Sequence, residues 1–285
     1  MQWSLLLICL AAISWGTTGT TQVLLGRVAE VHPMAVGFWR MALASPLLLW
    51  WARKDLSWQL TRRELGLFLG MGACVASYQV CYFCAVPLAG VAVTALVAIC
   101  SSPVLIALMA TVVLGERLTW RVYLSLGLGV LGTTLLVLGP GAFAASPMFL
   151  TGVLLALGAA LSYAGYAVIA KLAVAQTAPV AIAAYAFTTA AILLLPTLRY
   201  QPALGDFALA LPWLLYLGLV TTGIAYAIYM IGIRHTPATV AGVAVLLEPL
   251  TATLIGVGLF GEAIGLAGLI GAGLLIGAIS LLTVR

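Results

Sequence analysis

The chain has 285 residues, of which 64% are hydrophobic and only 7% charged, with a net charge of +5. A soluble domain carries roughly 25% charged residues, so an ordinary soluble fold is excluded. Nucleic-acid binding is excluded as well, because the basic residues are scattered among apolar runs instead of sharing a polar face with aromatics.

The apolar runs are about 20 residues long, closely spaced and without the alternation of a β-barrel strand, which predicts an all-α membrane protein with the lipid bilayer as its partner. Ten transmembrane helices are predicted, at residues 3–25, 33–52, 65–86, 89–114, 121–138, 149–173, 179–198, 212–233, 238–260 and 263–284. His32-Pro33, Pro87, Gly139-Pro140-Gly141, Ser146-Pro147, Ala178-Pro179, Pro202 and Thr236-Pro237 mark the connectors. Met1-Gln2-Trp3 carries no basic n-region, so the first run is expected to stay as a span. Cys9, Cys74, Cys81, Cys84 and Cys100 all fall in apolar stretches and read as small thiols packed between helices. No cofactor or metal is expected.

Orientation follows from the basic residues. With the N-terminus inside, Arg53, Lys54, Arg62, Arg63, Arg117, Arg121, Lys171, Arg234 and Arg285 collect on the cytoplasmic side. Only Arg27 and Arg199 fall on the other, and Arg40 lies within the second span. Both termini are therefore predicted to be cytoplasmic.

A repeat organises the chain. Pro103 opens an apolar run that closes on Gly115-Glu116, and Pro249 opens another that closes on Gly261-Glu262, at an offset of 146 residues. Pro33 and Pro179 share that offset, and Ala11–Trp15 resembles Ala159–Tyr163 nearby. The expected units are residues 1–140 and 147–285, five spans each. An odd number of spans inserts the two units in opposite senses, as two inverted five-helix repeats. Proline-interrupted helices in corresponding places of two such repeats point to a transporter's central site.

With Trp15-Gly16, Arg40, Lys171, Glu248-Pro249 and the repeated Pro…Gly-Glu in place, the whole chain resembles the drug/metabolite transporter superfamily and its EamA-type bacterial exporters. The resemblance implies a multi-pass protein of the bacterial inner membrane that exports small metabolites. Its cavity would be lined by spans one to four and six to nine, with spans five and ten outside. Amino acids, aromatic ones included, are frequent substrates in that family. Ala186 stands where the first half has Arg40, so a symmetric role for that charge is not implied.

Ser14, Thr17, Thr18 and Thr21 form one polar stripe on span one, suited either to interhelical packing or to lining a cavity. Trp15 reads as an interfacial belt residue or, like its counterpart Tyr163, as part of a shared site. Tyr78 and Tyr82 share a face of span three, with Gln79 beside them; Tyr163 and Tyr166 pair in span six, and Thr222, Tyr226 and Tyr229 in span eight. Phenols this deep need a hydrogen-bonding partner, so the tyrosines with Trp15, Thr18 and Gln79 are expected to line a substrate cavity, the alternative being structural hydrogen bonding.

Glu248 lies about ten residues from either end of its span, where a carboxylate costs on the order of 2.5–3.5 kcal/mol. It reads as a substrate-amine contact, a proton carrier, or a fixed pair with Arg40 or Lys171. Pro249 is expected to open the helix by leaving the carbonyl four residues back unpaired. Arg40, Lys171, Glu248, Pro103 and Pro249 are accordingly the expected gating or coupling residues. Glu116 and Glu262 are expected to open the helices that follow them. Gly127, Gly129, Gly132, Gly268, Gly271, Gly273 and Gly277 suit close helix packing, within one chain or between copies in a homo-oligomer.

The sequence contains neither a Walker-type phosphate loop nor His-Glu-x-x-His. The expected function is a non-enzymatic secondary transporter that exports amino acids or related small metabolites by alternating access, aromatic amino acids first. A channel or facilitator for small solutes and a multidrug exporter are the alternatives.

Overall fold

The structure is a computed structural model that describes residues 2–57, 59–137, 148–261 and 265–283. Those residues contain helices and no strands: α1 (Gln2–Gly26), α2 (Pro33–Ala52), α3 (Arg62–Ala89), α4 (Val91–Met109), α5 (Trp120–Val137), α6 (Phe149–Ala173), α7 (Pro179–Leu193), α8 (Leu204–Leu215), α9 (Ala225–Arg234), α10 (Ala238–Ala244), α11 (Leu247–Phe260) and α12 (Leu266–Thr283). A π-helical segment, Ala110–Leu114, prolongs α4, and a second, Tyr216–Ile224, fuses α8 to α9. Each predicted stretch overlaps helix among the described residues, and six helical rods are long and apolar enough to cross a membrane. Residues Gly139–Pro147, Glu262 and Arg285, used in the sequence reading, lie outside the described residues.

Local signals set the ends of these rods. Thr61 and Glu64 form a reciprocal capping box at the start of α3, three residues before the expected boundary. His32 accepts from the Met34 N–H ahead of Pro33 at the start of α2. Gly115 and Gly261 adopt left-handed conformations, φ +66° and +67°, and stop the rods as expected. Pro87 is no connector but lies inside α3, which runs on to Gly90 at φ +83°. The eighth rod starts at Leu204, not near Pro212, because Pro212 is accommodated within α8 ahead of the π turn. The seventh ends early, at Leu193, and continues as a 3₁₀ segment, Leu195–Tyr200.

The packing inverts the pattern of a soluble bundle. Leu6, Leu10 and Ile13 of α1 and Leu150, Leu154, Leu157 and Leu161 of α6 face outward, while alanines fill the interior. Without a hydrophobic driving force between helices in lipid, small residues are what let backbones approach. The seam between α3 and α6 shows this most clearly. A Cβ on Gly165, Gly158 or Gly152 would stand 3.2 Å from the Cys74 sulfur, 3.3 Å from the Cys81 sulfur and 2.7 Å from the Ala89 Cβ. Two of the cysteines are therefore interhelical spacers, as their apolar setting predicted. Gly132 of α5 and Gly271 of α12 meet backbone to backbone, the Cβ of either falling 2.5–2.8 Å from the other's carbonyl oxygen. This pair serves packing inside the chain.

The helix pairings fall into matched sets: α3 on α6 with α9 on α1, α4 on α6 with α11 on α1, and α3 on α7 with the Tyr216–Ile224 segment on α2. Individual contacts match too. A Cβ on Gly72 would meet Thr189 and the Ala186 carbonyl, and one on Gly218 would meet Leu43 and the Arg40 carbonyl. Each residue of the second trio is related to one of the first by 146 positions. Ala186 is fully buried at its contact.

Candidate functional site

The ninth rod is broken at Val245–Leu246, between α10 and α11. Around the break, Leu246 N–H bonds to the Val243 carbonyl and Glu248 N–H to the Val245 carbonyl, each one residue short of the α-helical spacing. This corrects the expectation from Pro249: the Val245 carbonyl is paired, and it is the carbonyls of Gly242 and Ala244 that lose their usual donors. Pro103, by contrast, sits inside an uninterrupted α4. The two proline helices are therefore unlike in form.

A small cavity lies at the break, lined by Tyr78, Ala98, Ile99, Ser102, Pro103, Tyr163, Gly242, Val245, Leu246 and Glu248. Glu248 belongs to the first turn of α11, where the helix dipole favours a carboxylate. Among the described residues its carboxylate accepts no hydrogen bond and forms no ion pair. Ser102, at the equivalent place in α4, donates back to the Ala98 carbonyl.

Every aromatic residue singled out from the sequence joins one continuous chain of rings. Tyr82 stacks on Tyr78 at 5.7 Å, Tyr78 approaches Tyr163 at 6.3 Å, and Tyr163 leads to Tyr166 at 6.4 Å. Tyr166 meets Tyr226 at 5.8 Å, and Trp15 rests on Tyr226 at 4.6 Å and on Tyr229 at 5.4 Å. Trp15 is only 5% exposed, which rules out the membrane-belt alternative. Phe187, absent from the sequence reading, packs on Tyr226 at 4.6 Å. Nothing in the periodicity of its alanine-rich helix distinguished it.

The hydroxyls carry the polar character of this ring chain. Those of Tyr163 and Tyr229 neighbour each other without meeting in hydrogen-bonding geometry. Among the described residues, the Tyr166 hydroxyl and the Trp15 Nε1–H are buried without partners. Thr18 and Ser14 also hold buried hydroxyls unpartnered among the described residues, whereas Thr17 and Thr21 bond back to carbonyls of their own helix. Thr17 also bonds Tyr216, and Thr21 and Tyr216 line a second, more open cavity with Pro212 and Trp213. Gln79 is turned against Gly37 of α2.

Arg40 makes a single hydrogen bond among the described residues, from Nε to Thr222 Oγ1 at 3.2 Å. Thr222 in turn donates to the Leu217 carbonyl five residues back, a bond that the π-helical turn makes available. Arg40 and Glu248 are near enough for their charges to interact, with Tyr78 and Tyr226 in the same field, but they are not paired. The fixed Arg40–Glu248 pair considered from the sequence is not formed.

Lys171 is not paired with Glu248 either. Its Nζ donates to the carbonyls of Ile233, Arg234 and Thr236, at 2.8, 3.1 and 2.8 Å, and so closes the C-terminus of α9. Glu116 does not open the next helix, as expected from its position after Gly115. Its carboxylate takes the N–H groups of Ala238 and Thr239 and the Thr239 hydroxyl, capping α10 across the bundle. Lys171 and Glu116 together hold both sides of the His235–Pro237 turn. Gly232 packs against Ser4 and Ile8, so this clamp lies at the end of the bundle where α1 begins. Long-range capping of this kind leaves no trace in local spacing.

The EamA-like transporter family profile matches residues 2–138 and again residues 150–284. An uncharacterized transporter of Bacillus subtilis, YwfM, is 34% identical over 276 residues, spanning 90% of this chain and 86% of its own. An uncharacterized transporter of Archaeoglobus fulgidus is 29% identical over 169 residues, 59% of each chain. One solved crystal structure superposes with a TM-score of 0.81 at 22% identity, covering 98% of this chain and 97% of the other, a likeness of fold. With all-helical architecture, long apolar rods and both stretches matched, this chain belongs to the EamA-like transporter family.

Proposed function

We propose that the protein is a secondary transporter that exports amino acids or related small metabolites, aromatic amino acids first, across the bacterial inner membrane by alternating access. The observation that carries this reading is the chamber at the Val245–Leu246 break, where the Glu248 carboxylate lies with Tyr78 and Tyr163, two members of the aromatic chain. An apolar lining with a few convergent polar groups is the usual form of a small-molecule site. Broken helices next to such a site are the usual form of a transporter's centre.

Ten spans in two inverted five-helix repeats, with both termini cytoplasmic, complete the proposal. The matched helix pairings and the 146-residue relation between the Gly72 and Gly218 contacts support the repeat. In that orientation the Glu116–Lys171 clamp closes the cytoplasmic end. The cavity of Thr21 and Tyr216 lies toward the outer end of α1. Trp15, Thr18, Tyr78, Gln79, Tyr82, Tyr163, Tyr166, Tyr226 and Tyr229 are the proposed substrate-binding set. Arg40, Lys171, Glu248, Pro103 and Pro249 are the proposed gating or coupling set.

The test is efflux from preloaded proteoliposomes against an amino-acid panel, with and without a pH gradient. Saturable efflux accelerated by substrate on the opposite side is the expected result. Equilibration that neither saturates nor responds to the opposite side would make the protein a channel.

A further inference from the structure

Ser102 of α4 and Glu248 of α11 stand 146 residues apart, at equivalent places in the two halves, and both line the chamber at the Val245–Leu246 break. Their chemistry is opposite. In α4 the Ser102 hydroxyl donates to the Ala98 carbonyl. Ala244 is the counterpart of Ala98, and its carbonyl has lost its usual donor, because the Glu248 N–H goes to Val245. An ionised carboxylate has no proton to give it in place of the hydroxyl's. The Gly242 carbonyl loses its usual donor as well, since the Leu246 N–H turns to Val243. Gly242 has only backbone to offer, and it lines the same chamber. Ser102 Oγ, with its proton committed to Ala98, presents lone pairs.

The chamber thus collects acceptors. Its remaining polar lining is Tyr78 and Tyr163, whose hydroxyls can also turn an oxygen toward a guest, and no second acid lines it among the described residues. A proton on Glu248 would answer the carboxylate and leave the other oxygens unmet. A monovalent cation answers them together and cancels the single negative charge, whereas a divalent ion would leave an excess charge inside the bilayer. Carbonyls freed at a broken helix are the usual donors to such ions in transporters. We propose that the break is a seat for one monovalent cation, held by the Glu248 carboxylate, the Gly242 carbonyl and Ser102 Oγ. An alkali-metal ion and the ammonium head of an amino acid offer the same chemistry, and the small chamber suits either. The part of this seat in transport rests on the transporter reading above; the binding itself does not.

The full chain, purified in detergent, is titrated at fixed pH and ionic strength with Tm as the readout. Choline chloride is replaced by lithium, sodium or potassium chloride in one arm and by methylammonium or phenethylammonium chloride in the other. The expected result is a saturable rise in Tm over choline in at least one arm. A rise confined to the alkali ions assigns the seat to a coupling ion, and one confined to the ammonium compounds assigns it to the head of the substrate. Ser102→Ala should weaken half-saturation by at least about tenfold. Glu248→Ser copies the first half. It should abolish the response and leave Tm in choline at or above that of wild type, because its hydroxyl supplies the Ala244 carbonyl as Ser102 supplies Ala98. A purely structural carboxylate would instead make that variant less stable in every salt, which overturns the assignment. So does a wild-type protein that no cation stabilises beyond choline, or a Ser102→Ala variant that responds as wild type does. The wild-type panel and Ser102→Ala decide the matter if Glu248→Ser fails to fold. A saturable rise in Tm in protein that shows no efflux of any amino acid sinks the transporter reading and leaves the seat standing.

Discussion

The carboxylate of Glu116 binds both the backbone N–H and the hydroxyl of Thr239, at 3.2 and 2.8 Å, although 123 positions separate the two residues. With the Ala238 N–H at 2.7 Å, it replaces the side-chain cap that Pro237 cannot supply to α10. Loss of a helix N-cap costs about 0.5–2 kcal/mol. Glu116→Ala is expected to lower the unfolding free energy by that order, and Glu116→Gln, which keeps an acceptor, by less. Denaturant unfolding in mixed micelles measures both, and equal stability of Glu116→Ala and wild type would refute the capping role.

Lys171 donates to three carbonyls at once at the end of α9. Hydrogen bonds to a charged group contribute about 1.5–3 kcal/mol each to stability when buried, less where solvent reaches them. Lys171→Met is expected to free the turn. Amide exchange over residues 234–239 should quicken relative to the rest of α9, as read by mass spectrometry. No local change in exchange would show that the turn holds without it.

The helix contacts were legible in the sequence only as composition. The glycine count implied close packing, but which glycines bear it depends on the facing residue. At Gly218 a Cβ would fall 2.6 Å from the Leu43 Cβ, while at Gly19 it would meet nothing within 4 Å. Gly218→Ala is therefore expected to reduce the yield of monodisperse protein sharply and Gly19→Ala to leave it unchanged. Size-exclusion chromatography decides between them.

Tyr166 is 1% exposed, and its hydroxyl has no partner among the described residues. Burying an unsatisfied polar group costs about 1–3 kcal/mol, so Tyr166→Phe is expected to hold or raise stability. Its ring remains to pack on Tyr226. If the hydroxyl belongs to the binding site, the same variant weakens substrate affinity while the protein stays as stable. A fall in stability with affinity intact would make it a structural group.

The rods and the aromatic chain could be read from the sequence because each rests on local chemistry: apolar length, prolines, left-handed glycines and tyrosines at helical spacing. Tyr78, Tyr163 and Tyr226 were recoverable for that reason. The partners of Arg40, Lys171 and Glu116 were not, since all three act across the bundle on groups far away in sequence that local spacing does not pair with them. Lys171 binds backbone, Glu116 binds two backbone N–H groups and the Thr239 hydroxyl, and Arg40 binds a threonine exposed to it by a π turn. The placement of the helix break was missed for a related reason. Proline marks where a donor is lost, but the geometry yields one turn earlier, at Val245–Leu246.

The seam of Cys74, Cys81 and Ala89 against Gly165, Gly158 and Gly152 bears on how the chain is made. Helix α3 leaves the ribosome well before α6, the element its small-residue face is shaped to fit. During synthesis that face lacks its partner helix, and the first half cannot finish packing by itself. Assembly therefore ends with the second half threading its helices among those already inserted, and a ribosome stalled between the halves would leave behind an unfinished wall, not a folded domain.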